Sequence, residues 1–185
     1  MKKTSNVGYI LRLSLTLLVI CAVVAVLLAE VNAITAPRIT ASKQEKTAQA
    51  VAAVLPDGET AAALDTYPDE SGIIQAVYAS ETGYAIQVAP SGFDSQINMM
   101  VGVSKDGRVL GVSIISHTET AGLGAVAAAK TEKGQAFRDQ FVGKSGVLAV
   151  SKDGGDIDAI TSATITSRAV TSGVNAALQC AERLG

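Results

Sequence analysis

The chain has no tryptophan, one histidine, two cysteines and four prolines, and aromatic residues make up only 4% of its 185 positions. Each shortage closes a class of function. No cluster of Lys and Arg is interleaved with aromatic side chains, so neither a base-stacking platform nor a phosphate-tracking groove is in view. Twelve basic and seventeen acidic residues follow position 12, a formal balance of −5 that also disfavours a nucleic-acid partner. With His117 the only histidine, a multi-histidine metal centre is excluded. Cys21 and Cys180 lie far apart without CxxC spacing, and Cys21 falls in an apolar run, so neither a disulfide nor a zinc site is expected. What remains, with 48% hydrophobic residues, is enough for one globular domain and an appendage.

Charge is missing from one long stretch. LSLTLLVICAVVAVLLA, residues 13–29, carries none for 17 positions, which as a helix covers roughly 26 Å at about 1.5 Å per residue and so just crosses a bilayer. It reads either as a permanent anchor or as a signal peptide cut after Val31-Asn32-Ala33. The run exceeds the roughly 7 to 15 residues of a signal core and continues in helix-compatible sequence, which favours the anchor. Ile20 ahead of Cys21 does not suit lipoprotein cleavage. Lys2, Lys3 and Arg12 on one flank and Glu30 on the other predict a cytoplasmic N-terminus, a single pass through lipid and an extracytoplasmic remainder.

Beyond the anchor, Thr35-Ala36-Pro37 offers a helix start, and residues 39–55 read as a stalk helix stopped by Pro56-Asp57-Gly58. The expected divisions are therefore 1–34, 35–58 and 59–185. Residues 56–72 read as loop. IIQAVYA (73–79) and YAIQV (84–88) flank the turn Glu81-Thr82-Gly83, and INMMVGVS (97–104) and RVLGVSIIS (108–116) flank Lys105-Asp106-Gly107, so four antiparallel strands are predicted. A glycine-bearing loop, SHTETAGLGA (116–125), precedes an amphipathic helix over 134–141 and a short strand, GVLAV (146–150). Val170, Val174, Ala177, Leu178 and Ala181 recur at helical spacing in a last helix that packs on the sheet. The class is α+β.

At the entrance to that helix, DAITSATITS (158–167) gathers five hydroxyls, from Thr161, Ser162, Thr164, Thr166 and Ser167, behind one carboxylate, Asp158. Three uses compete. Ser and Thr ahead of a helix commonly cap its unpaired N–H groups. A nucleophilic hydroxyl with His117 as base and Asp158 as orienter would be hydrolytic, yet no GxSxG elbow is present and His117 reads more simply as a polar loop residue. A helix entrance also attracts anions, so a threonine there could carry a phosphate group.

DAITSAT (158–164) resembles the flavinylation motif D-x-x-[ST]-G-A-T, whose last threonine is esterified to the phosphate of FMN by a flavin transferase. HTETAGLG (117–124) resembles the H-x-E-T-P-G-L-G loop that precedes it in the same FMN-binding domain family. The resemblance runs from the anchor to the end of the chain. It covers the G subunit of Rnf ferredoxin:NAD oxidoreductase complexes and, as the alternative, the C subunit of sodium-translocating NADH:quinone reductase; the compact length is more like the Rnf protein. A more distant alternative is an anchored module without redox chemistry, for assembly or binding.

The resemblance implies covalent FMN on Thr164, a contact set of Glu119, Thr120, Gly122, Leu123, Lys152, Thr161, Ser162 and Ala163, with Gly124 allowing close backbone approach, and recognition of Asp158 by the transferase. It implies no catalytic residue and no metal. Electrons would be relayed, not generated, because nothing resembles a nicotinamide site, a cysteine cluster set or a quinone pocket. The partners implied are the membrane and iron–sulfur subunits of the complex and the transferase. Two positions depart from the motifs: Ser162 stands where Gly is usual and Ala121 where Pro is usual. Serine would be strained there if its φ is positive, and the loop loses some rigidity.

Overall fold

The computed structural model describes residues 5–56 and 60–185. Lys2 and Lys3, and the Asp57-Gly58 part of the expected stop, lie outside the described residues. The chain divides into two compact units, one ending at Glu45 and the other Lys46–Gly185.

The first unit is helical throughout its described part. Helix α1, Ser5–Val54, continues from it into the second unit and includes Pro37. The predicted new start at Thr35 therefore does not occur. One proline removes a single backbone donor, and the helix formers on both sides of it carry the helix across. Over residues 7–34 the side chains are exposed, among them Leu13, Leu17, Val24 and Leu28, and this part of α1 has the length and composition to cross a membrane.

In the second unit, β1 (Ala62–Ala63), β2 (Ile74–Ala79), β3 (Gly83–Val88), β4 (Asn98–Ser104) and β5 (Val109–Ser116) form one antiparallel sheet in chain order. The four longer strands lie where alternation and the Asp-Gly turn place them. The two-residue β1, which pairs Ala62 with Ala79, occupies a stretch read as loop. It is too short to leave a periodic pattern.

Side chains on the sheet alternate between two cores, as a period of two requires. Ile86, Val88, Met99, Val101 and Val103 face α3 (Thr164–Leu184), whose Val170, Val174, Ala177, Leu178 and Ala181 are all buried in the same cluster. Ala85 and Met100 face the other way, onto Ala50, Val54 and Leu55 at the end of α1. Gly102, opposite Gly111, carries no Cβ because the Val54 carbonyl occupies that space.

Helix α2, Glu132–Asp139, starts and ends two residues earlier than predicted, with Thr131 accepting from the Gly134 N–H at its start. The strand expected over 146–150 does not form. Val150 alone makes a bridge, parallel to Ile157, while the Leu148 N–H and C=O are bonded at 2.9 and 2.8 Å by the side-chain amide of Asn175 on α3. A side chain satisfies the backbone that a neighbouring strand would otherwise have paired.

Candidate functional site

The hydroxyl-rich segment makes a turn and then a helix. The Ala163 N–H donates to the Ile160 carbonyl at 2.9 Å, which leaves Ser162 at the third position of a four-residue turn with φ +62°, the only positive value at a non-glycine among the described residues. Ser167 fastens the turn to the helix, accepting from the Ile160 N–H and donating to the Ala163 carbonyl, both at 3.0 Å. The motif position usually held by glycine is thus one where a side chain is strained. Ser162→Gly is expected to stabilise the domain by about 0.5 to 1 kcal/mol, the relief of left-handed strain less the extra entropy of an unfolded glycine; a denaturant midpoint measures it.

No hydroxyl caps α3. The residue at the cap is Ala163, without a side-chain bond, and the N–H groups of Thr164, Ile165 and Thr166 find no acceptor among the described residues. The capping expectation is corrected here: the hydroxyls are used elsewhere because Ala163 occupies the cap position. Ser167 closes the turn, Thr166 donates to a Glu119 carboxylate oxygen, and the Thr164 Oγ1 accepts from Lys152 Nζ at 3.0 Å. Thr161 and Ser162 are exposed. Lys152 stands in the 3₁₀ turn Ser151–Asp153, which is fixed to α3 by two bonds from Arg168 to Asp153, at 2.7 and 2.6 Å. The Arg168 hydrogen bond holds the Asp153 carboxyl below its usual range.

Glu119 is buried behind this helix start, 6% exposed. One oxygen accepts from the Phe93 N–H at 2.9 Å and the Asp94 N–H at 3.2 Å, and the other from Thr166. It therefore joins the 89–97 loop to the first turn of α3. Cβ atoms built on Gly92 or Gly124 would meet its carboxylate. In front of it opens a cavity of about 290 Å³ whose wall includes Glu119, Thr120, Gly124, Ser162, Ala163 and Thr164. Its apolar part comes from Phe93, Leu123 and Ile165, which are 67%, 42% and 50% exposed.

Most of the residues singled out in the sequence meet here. Thr120 is exposed on the rim, its carbonyl accepting from Leu123 and Ala125 at 3.2 Å. Gly122 turns the loop at φ +77°. Lys152 reaches Thr164 without lining the cavity. Asp158 does not join the group: its side chain is exposed and its backbone is held by Gln140, at 2.7 and 3.2 Å. His117 is also apart, its buried Nδ1 unpartnered among the described residues. No hydrogen bond joins it to Asp158 or to a hydroxyl there, so the hydrolytic triad is not assembled.

Phe93, Ile165 and Thr166 stand outside the contact set that the resemblance implies, Thr166 entering the sequence reading only as one of the five hydroxyls. Phe93 had a signal, since one of only three phenylalanines sits in the polar stretch SGFDS, residues 91–95, where no core would claim it. A second depression, of about 490 Å³, lies between the β4–β5 turn and the end of α3 and includes Lys105, Asp106 and Glu182 but none of the hydroxyl cluster.

The donor set fits a flavin mononucleotide in its two parts. Three unbonded N–H groups and an ammonium at Thr164 suit a phosphate, and the exposed Phe93, Leu123 and Ile165 suit a flat apolar ring. Residues 92–179 match the FMN-binding domain family, so the class is an FMN-binding α+β domain preceded by an apolar helix.

The relatives narrow this. The chain is 36% identical to the G subunit of the Na(+)-translocating ferredoxin:NAD(+) oxidoreductase complex of Acetobacterium woodii, over 95% of this chain and 93% of the relative. It is 33% identical to the G subunit of the proton-translocating ferredoxin:NAD(+) oxidoreductase complex of Clostridium ljungdahlii, over 97% and 95%. It is 32% identical to the G subunit of the ion-translocating oxidoreductase complex of Stutzerimonas stutzeri, over 90% and 78%. The chain belongs to this family, the G subunits of ion-translocating oxidoreductase complexes.

Proposed function

We propose that the chain is a membrane-anchored electron-carrier subunit of an Rnf-type ion-translocating ferredoxin:NAD oxidoreductase complex, with FMN attached covalently through a phosphate ester to Thr164. The observation that carries it is the Thr164 hydroxyl, the first residue of an uncapped helix, bonded by Lys152 beside a cavity with an apolar rim. The names of the relatives favour this complex over a sodium-translocating NADH:quinone reductase.

Bound FMN supplies reversible uptake and release of electrons. The chain's own residues supply the place. Thr164 offers an oxygen at the positive end of the α3 dipole, and the N–H groups of Ile165 and Thr166 are free to take phosphate oxygens. Lys152 adds a charge-assisted donor. Phe93, Leu123 and Ile165 offer apolar surface to the ring and exclude water from it. Asp158, exposed and displaced from the cavity, suits recognition by the flavin transferase and not electron transfer. The anchor in residues 13–29 holds the domain at the lipid surface, with the N-terminus cytoplasmic and the domain on the other side, in reach of membrane and iron–sulfur subunits. The proposed divisions are an anchor over 1–34, a stalk over 35–58 and the FMN-binding domain over 59–185.

Full-length protein co-expressed with a flavin transferase should give a fluorescent band on a denaturing gel, and its peptide containing Thr164 should gain the mass of FMN less one water. A dark band with unmodified peptides overturns the reading. Lys152→Met is expected to slow attachment by about 1.5- to fivefold, the scale of an exposed charge contact, measured as flavin incorporated with time.

A further inference from the structure

We propose that Glu119 acts as a fixed negative charge in the wall of the cofactor cavity, lowering the reduction potential of the flavin held there. This rests on the FMN reading above. The carboxylate is 6% exposed and acts only as an acceptor, from the Phe93 and Asp94 N–H groups and the Thr166 hydroxyl. All three donors are neutral. They steady the charge without cancelling it.

Among the described residues no cation pairs with Glu119: Lys144, Arg168 and Arg183 pair instead with Asp156, Asp153 and Glu70. Gly92 and Gly124 press on the carboxylate so closely that a Cβ on either would meet it, which leaves no space for bulkier shielding. The neighbouring wall is apolar, from Phe93, Leu123 and Ile165. A charge so placed is felt across the cavity at an effective dielectric of about 20, below that of bulk water. Lys152, at the Thr164 end, is exposed and its field is screened by water and salt.

An electron passed to the ring by a low-potential one-electron donor, with no proton, adds one negative charge. That charge meets Glu119 and is disfavoured. The oxidised, neutral ring is not, so the difference appears in the potential and not in how much flavin is held.

The test uses full-length protein loaded with flavin by co-expression with the transferase, titrated with reduced methyl viologen and read by flavin absorbance. In Glu119→Gln the ratio of reduced to oxidised flavin at a fixed potential is expected to rise about tenfold, equivalent to about 59 mV for a one-electron couple. Glu119→Asp, which keeps the charge, should stay close to the wild type, an outcome that a purely structural role does not predict. If the wild type carries no flavin, the FMN reading fails and this proposal with it. If loaded Glu119→Gln titrates like the wild type, only this proposal is overturned. Should that variant fail to fold, wild-type protein with ¹³C-labelled glutamate decides by infrared difference spectra: an isotope-sensitive carboxylate band that moves on reduction supports the proposal, and its absence overturns it.

Discussion

Thr164→Val should yield a folded domain with no covalent flavin. Valine preserves the shape and the branched Cβ of threonine and removes only the oxygen. Among the described residues that oxygen's one partner is the exposed Lys152, so the stability should change by no more than about 0.5 kcal/mol. The thermal transition should stay near that of the wild type while gel fluorescence falls to background. The neighbouring alcohols make the result informative. Ser167 is buried and closes the turn, and Thr166 is buried against Glu119, so neither is free to take a phosphate. Thr161 and Ser162 are exposed. Flavin retained in Thr164→Val and mapped to either of them would move the attachment point and refute the assignment.

Gly124→Val is expected to do the reverse, damaging the fold and the site together. A Cβ at this position would strike the Glu119 carboxylate and the Thr166 hydroxyl, both buried. The clash must push apart the bond that holds the start of α3 to the 89–97 loop, or leave a buried carboxylate short of a donor. Overpacking with a disturbed charged hydrogen bond costs about 2 to 4 kcal/mol, a fall of roughly 10 °C in the melting temperature for a domain of this size. Flavin incorporation should fall with it, because Thr164 stands on the same turn. Gly122→Ala separates the causes. Its Cβ meets nothing, yet its φ is +77°, so it should lose only about 1 kcal/mol from strain. Equal losses from the two substitutions would contradict the packing explanation.

Much of the fold is legible because it is local. Alternation in 84–88 and 97–104 and the Asp-Gly pair at 106–107 place the strands within a residue or two. The spacing of Val170, Val174, Ala177, Leu178 and Ala181 names the buried face of α3. GVLAV failed because its composition fits a strand, but Asn175, 27 residues from Leu148, is what holds it. A pairing across that distance leaves no mark in a short window of sequence. Pro37 failed in the other direction, since a local breaker was overridden by the helix on either side of it.

In the site, DAITSAT and HTETAGLG pick out by residue type two segments that meet at one cavity. They do not say which way Glu119 points. The resemblance places it toward a cofactor; the fold turns both its oxygens to Phe93, Asp94 and Thr166.

By itself the sequence determined the apolar helix, the four longer strands, the amphipathic face of the last helix and the hydroxyl cluster at its start, because each is written in neighbouring residues through hydropathy, periodicity and turn chemistry. Only the tertiary structure decided that α3 begins uncapped, that Lys152 meets Thr164, that Ser162 takes a left-handed conformation, and that Phe93 joins Leu123 and Ile165 around one cavity. Those facts depend on segments up to about seventy residues apart being packed together, and the burial that brings them there also removes the water that would otherwise satisfy Glu119.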